Sequence, residues 1–162
     1  ALQNVSNGRP FDQTRSNALT TRSRLSRPLT IRMWAVDCLK NDNHSPGHEA
    51  GGACLQKIAK TLKSNFFRAG DLVARYGGEE FAVILPNIDK EAALKFAEKM
   101  RENVAKLKLE HNFSAVADVV TISVGATSLI PDRSTTASTI IKRADDALYM
   151  AKEKGRNNVQ YL

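Results

Sequence analysis

Two carboxylates, Glu79 and Glu80, follow directly on two glycines, Gly77 and Gly78, in the run Arg75-Tyr-Gly-Gly-Glu-Glu-Phe81. Glycines at the tip of a turn leave the backbone bare, so a large anionic ligand can approach it closely. Adjacent acids on a strand point to opposite faces and can hold different tasks. One can bind Mg²⁺, which prefers hard oxygen ligands, while the other deprotonates or orients a hydroxyl nucleophile. The spacing by itself is equally that of an ordinary hairpin with solvated acids.

The flanking residues predict what holds this segment. Leu72-Val-Ala-Arg-Tyr76 and Glu80-Phe-Ala-Val-Ile-Leu85 read as strands, and Gly-Gly between them predicts a tight hairpin with positive φ. Upstream, Leu29 to Asp37 alternates as a strand, with Leu29, Ile31, Met33 and Ala35 on one face and Thr30, Arg32, Trp34 and Val36 on the other. A buried, unpaired Arg32 would be costly there, so the side chain must find partners or reach solvent along its stem. Cys38 to Gly47 reads as a loop. Leu55, Ile58, Leu62 and Phe66 place a helix near residues 48–66, and Ala93, Phe96, Ala97, Met100, Val104 and Leu107 mark a long amphipathic one. Asp118 to Ser123, rich in β-branched residues, reads as a buried strand. A helix from Thr136 to Lys154 is stopped by Gly155, and Val159 to Tyr161 suits a short terminal strand. A further helix is expected over residues 11–26. From Leu29 to Val124 the order is βαββαβ. That is an α+β, ferredoxin-like arrangement of the nucleotidyl-cyclase or palm type: an antiparallel sheet flanked by helices, the two within the unit on one face.

Composition narrows the class. The chain has 162 residues, 25% of them charged and 42% hydrophobic, which suits one globular domain. No apolar run approaches the roughly 20 residues of a membrane span. Two cysteines, Cys38 and Cys54, are too few for a secreted disulfide framework and suit a reducing cytosol. The net charge of +7 points to an anionic partner without choosing among nucleic acid, nucleotide and membrane surface. Six arginines against Asp12 in residues 1–34 carry most of it, a pattern closer to a solvated helix face than to a nucleic-acid patch. No aromatic-rich strand is present to stack bases, so no nucleic-acid partner is expected. Cys38, His44, His48 and Cys54 are zinc-ligand types, but their spacing matches no compact zinc module and reads as scattered loop and helix residues.

Arg75-Tyr-Gly-Gly-Glu-Glu-Phe81 resembles the signature of the GGDEF family, the diguanylate cyclase domains, in its Glu-Glu variant. Asp71 with Leu72-Val-Ala-Arg-Tyr leads into it as in the family. Val120-Thr-Ile-Ser-Val-Gly125 resembles the family's fourth sheet strand, and Ala144 to Asn157 its closing helix. The resemblance covers essentially the whole chain and implies a single GGDEF-type domain over 1–162, expected to be the C-terminal part of a longer cytoplasmic signalling protein with an upstream sensor or receiver domain. It also implies a reaction in which two GTP condense to cyclic di-GMP, with Mg²⁺ or Mn²⁺ as cofactor and two domains facing each other as a homodimer. Matched position by position, Glu79 resembles the metal-binding acid, the Val36 backbone carbonyl a second metal ligand, and Glu80 the catalytic base. Asn43 matches the residue that binds guanine. Lys40, Lys152 and Arg156 match the cations around the triphosphate, over the bare Gly77 and Gly78. Arg68 and Asp71 resemble an inhibitory site for cyclic di-GMP.

The first third departs from the family. Its Asp-x-Asp triplet is here Ala35-Val36-Asp37, so one metal ligand is missing, and Asp37 lies about 6.6 Å along the strand from Ala35. A guanine-binding Asp is replaced by Gly52, and the opening motif is Leu2-Gln-Asn-Val-Ser-Asn-Gly8. Two functions follow. One is a diguanylate cyclase, weakened by Ala35 and Gly52; the other is an inactive domain that acts as a receptor for cyclic di-GMP or GTP.

Overall fold

The computed structural model describes residues 28–37, 54–62, 71–110, 118–132 and 134–162. The strands are β1 (Leu29–Val36), β2 (Leu72–Gly77), β3 (Glu80–Pro86), β4 (Ile122–Leu129) and β5 (Val159–Tyr161). The helices are α1 (residues 54–62), α2 (Lys90–Lys106) and α3 (Ala137–Glu153). Both long helices begin on a side-chain cap: Asp89 accepts from the Ala92 N–H, and Thr136 from the Thr139 N–H.

The sheet runs in the order β2-β3-β1-β4-β5. Its first four strands pair antiparallel, the order expected of a βαββαβ unit, while β5 adds to the edge of β4 in parallel. β1 is therefore central and buried along its whole length. One face packs Trp34, Phe81, Val83 and Val124 against Ile58 and Leu62 of α1 and Ala97, Met100 and Val104 of α2. The other packs Ile31, Met33, Ala35 and Ile84 against Ile140, Ala144 and Leu148 of α3. An apolar set on both faces of β1 requires cover on both sides, and α3 supplies the second layer.

Arg32 lies within the first of these layers, only 2% exposed. Its Nη1 donates to Met100 Sδ at 3.4 Å, and its guanidinium carbon stands 5.7 Å from the Phe96 ring centre. The side chain is thus held inside and does not extend to solvent.

One local expectation is corrected. The strand anticipated at Asp118–Ser123 begins at Ile122 and runs to Leu129. Val119 instead forms an isolated antiparallel bridge to Glu110, and the Val120 N–H donates to the Leu109 carbonyl at 2.8 Å. Of the helix expected over 48–66, residues 54–62 are helical and the rest lies outside the described residues, as does the helix expected over 11–26.

Candidate functional site

β2 and β3 meet at a two-residue turn. Gly77 pairs with Glu80, leaving Gly78 and Glu79 at the corner, with a register shift between Arg75 and Gly77. The positive φ expected of the glycine pair is not used at Gly78. The bulge in β2 absorbs the irregularity instead. What glycine provides here is space: a Cβ at Gly78 would meet nothing within 4 Å, so the turn backbone is open to a ligand.

The antiparallel register sets what lies beside the acids. Ala35 stands directly opposite Glu80 on β3 and opposite Ser123 on β4. Opposed residues share a face, so position 35 and Glu80 both look toward α3. The Val36 N–H donates to the Glu79 carbonyl at 3.3 Å, which ties the end of β1 to the corner of the hairpin.

α3 is seated unusually close to the sheet. A Cβ on Gly125 would fall 2.1 Å from the Leu148 nitrogen and 2.5 Å from the Ala144 carbonyl oxygen, so the helix backbone rests on the bare strand. One helical turn past Leu148, Lys152 reaches across β1 and donates from Nζ to Glu80 Oε1 at 2.7 Å. The two side chains are 28% and 31% exposed, with the buried methyl of Ala35 on the same face.

The chain leaving α3 is held by β1. Gly155, Arg156 and Asn157 all take left-handed backbone, with φ of 98, 63 and 45°. The Arg156 N–H donates to the Ala151 carbonyl at 3.0 Å, which closes the helix end. The Asn157 N–H donates to Asp37 Oδ2 at 3.1 Å, and Asn157 Oδ1 accepts from Arg101 Nη1 at 2.8 Å. Asp37, 3% exposed, also accepts from Thr121 Oγ1 at 2.8 Å and Ser123 Oγ at 2.6 Å. This turn carries the exposed Arg156 at the end of the sheet that holds Ala35 and the hairpin corner.

Of the residues singled out from sequence, Gly77, Gly78, Glu79, Glu80, Val36 and Lys152 come together, with Arg156 on the adjoining turn. Asp71 precedes β2, at the strand end away from the corner, roughly 20 Å from it along the strand. Lys40, Asn43, Gly52 and Arg68 lie outside the described residues, as do Cys38, His44 and His48; Cys54 opens α1 and packs against the core. Sequence reasoning missed the positioning roles of Thr121, Ser123, Arg101 and Asn157. A signal existed in two hydroxyl residues at period two within an otherwise apolar run.

The oxygen donors form an incomplete set for a cation held by the protein. Position 35 presents a methyl, Glu80 is engaged by an ammonium, and Asp37 is turned to β4 and the closing turn, which leaves Glu79 and the Val36 carbonyl where the end of β1 meets the hairpin corner. Among the described residues no group of three or more acidic, His or Cys side chains is gathered to hold a metal ion.

Similarity to known proteins agrees with this arrangement. The family model described as "Diguanylate cyclase, GGDEF domain" matches residues 1–158. Diguanylate cyclase A of Treponema denticola is 42% identical over 131 residues, covering 81% of this chain and 34% of that protein. The response regulator PleD of Caulobacter vibrioides is 37% identical over 134 residues, covering 82% of this chain and 29% of that protein. The chain thus spans about a third of the length of such relatives. Among solved structures, the GGDEF domain of DgcB from Caulobacter crescentus, in complex with c-di-GMP, superposes with a TM-score of 0.87 at 28% identity, covering 99% of this chain and 90% of that one. The active GGEEF domain of a diguanylate cyclase from Vibrio cholerae superposes with a TM-score of 0.81 at 30% identity, covering 97% of each chain. Sheet order, hairpin signature and whole-length similarity converge, and the chain belongs to the GGDEF family.

Proposed function

We propose that this domain condenses two molecules of GTP into cyclic di-GMP. In each half-reaction a ribose 3′-hydroxyl attacks the α-phosphorus of the partner's nucleotide, the bond to the β-phosphate breaks, and pyrophosphate leaves. The hydroxyl proton passes to an adjacent acid or to water. Because each domain holds one nucleotide, the reaction requires two copies to meet, and a homodimer is the simplest arrangement. The observation that carries this reading is the 2.7 Å bond between Glu80 of the signature and Lys152 of the last helix, formed beside an open glycine turn. It joins acid and cation across 72 residues at the place where a triphosphate would sit.

The two acids keep separate tasks. Glu79, at the turn corner tied to the end of β1, is assigned with the Val36 carbonyl to a divalent cation. Glu80, bonded to Lys152, is assigned as the acid that deprotonates or orients the ribose hydroxyl. Lys152 and Arg156 supply positive charge to the triphosphate, as does Lys40, with Asn43 on the guanine. Arg68 and Asp71 are assigned to product binding, with the guanidinium gripping phosphate or a guanine edge. The distance of Asp71 from the hairpin corner supports a second, separate site. Diguanylate cyclases of this family generally use a divalent metal. The donors here do not complete a site for one, so no step is assigned to it.

A second reading, an inactive receptor for cyclic di-GMP or GTP, is favoured by Ala35. Incubation with GTP and Mg²⁺, followed by chromatography for cyclic di-GMP, tests both. We expect slow product formation from the native chain and a rate at least about tenfold higher from Ala35→Asp. Product only from Ala35→Asp assigns the native chain to the receptor class, and product from neither overturns the cyclase reading. Upstream signalling domains and a cytoplasmic setting belong to the same proposal. Among the described residues no helix is long and apolar enough to cross a membrane.

A further inference from the structure

The turn that closes α3 fixes one backbone on several sides and leaves its side chain over. Arg156 takes φ of 63°, a left-handed conformation that a long side chain seldom adopts and that persists only where its surroundings hold it. The Arg156 N–H donates to the Ala151 carbonyl at 3.0 Å, and the Arg156 carbonyl accepts from Asn158 Nδ2 at 2.8 Å. Next along, the Asn157 N–H donates to the buried Asp37 carboxylate at 3.1 Å, while Asn157 Oδ1 accepts from Arg101 Nη1 of α2 at 2.8 Å. Arg101 is itself braced by Glu98, one turn earlier on α2. The Arg156 guanidinium, by contrast, is exposed and has no hydrogen-bond or ion-pair partner among the described residues. Lys152, one turn before it, is already paired with Glu80.

We propose, on the reading that this site holds GTP, that Asn157 is a positioning residue for the triphosphate. Gripped by Asp37 of β1 through its N–H and by Arg101 of α2 through its side chain, it fixes the backbone of Arg156 so that the unpaired guanidinium is presented to the phosphates. An arginine on a loose chain end loses backbone as well as side-chain freedom when it binds. One whose backbone is already held loses side-chain freedom alone, so more of its charge-assisted bond to phosphate appears as affinity. The strain of the left-handed turn is borne in folding, before a ligand arrives. Asp37 and Arg101 act from the central strand and from the helix on the opposite face of the sheet, without touching the nucleotide.

The test is a double-mutant cycle, read by calorimetric titration of a non-hydrolysable GTP analogue with Mg²⁺ into the native chain, Arg156→Met, Asn157→Gly and the double variant. Glycine accepts the left-handed backbone and keeps the N–H to Asp37, so Asn157→Gly removes only the bond to Arg101. Arg156→Met is expected to lose about tenfold in affinity, Asn157→Gly about fivefold, and the double variant to stay within about twofold of Arg156→Met. An Asn157→Gly loss of the same size in both backgrounds shows that Asn157 acts on the fold at large and overturns the inference. Unchanged affinity in either single variant overturns it as well, with the nucleotide site left standing. A native chain that binds no analogue overturns the site and the inference together. Should Asn157→Gly fail to fold, Arg101→Met cuts the same bond from α2 and is judged by the same outcomes.

Discussion

Asp37 and Asn157 stand 120 residues apart in the chain and are joined by a 3.1 Å hydrogen bond from the Asn157 backbone N–H to the Asp37 carboxylate. The bond clasps the end of the central strand to a left-handed turn that carries Arg156. It makes Asp37 a positioning residue: its carboxylate is spent on two hydroxyls and this N–H, and the benefit falls on the neighbouring cation.

Asp37→Asn keeps the shape but replaces one acceptor oxygen with an amide that donates, facing groups that also donate. The expected loss is about 2–3 kcal/mol, as for a buried charge-assisted network missing one acceptor. Urea unfolding followed by circular dichroism measures it, and an unchanged midpoint would show that the network contributes nothing to stability.

Gly125 and Gly78 are expected to behave oppositely when a methyl is added. Gly125→Ala drives a Cβ into the α3 backbone and should cost about 3 kcal/mol or more, since neither strand nor helix can yield without moving Lys152. Gly78→Ala meets open space and should leave the melting temperature essentially unchanged, while weakening binding of GTP by about tenfold. Thermal melts with and without nucleotide separate the two effects. A destabilised Gly78→Ala protein would contradict the open turn.

Trp34 stacks on Phe81 with ring centres 4.2 Å apart, and its buried Nε1 has no hydrogen-bond partner among the described residues. Trp34→Phe removes that donor while retaining an aromatic ring, so its cost should stay under about 1.5 kcal/mol despite the lost volume. Trp34→Ala removes the stack as well and should cost about 3–5 kcal/mol. Chemical denaturation of both variants by circular dichroism reads the difference.

Asp132 sits in the loop before α3 and is fully exposed, yet its carboxyl is lowered from the usual 3.8 to about 2. The Ser134 side-chain hydrogen bond is the main cause, followed by Thr135 and the Ser134 backbone N–H. Because the folded value lies below the ordinary one, the contribution of these bonds is present above about pH 3.8 and is lost as the pH falls through about 2. An NMR titration of the Asp132 side-chain carbon should show a midpoint well below that of a model peptide. Ser134→Ala should move it upward.

Much of this domain was legible in its sequence. Alternation along Leu29–Val36, the helical spacing from Ala93 to Val104 and the glycine-broken pair of strands around Glu79 and Glu80 specify elements, because backbone conformation follows local periodicity. That both faces of the first strand are covered, the second by α3, emerged only from the packing. Tertiary structure decided which residues meet. Glu80 finds Lys152, Asp37 finds Asn157, and Gly125 is bare because α3 lies against it rather than because its backbone requires glycine. The site's charge balance likewise depends on Ala35 facing Glu80, a matter of antiparallel register. Such pairings join residues far apart in the chain through strand order and register, and these are set by packing of the whole sheet, which no local spacing encodes.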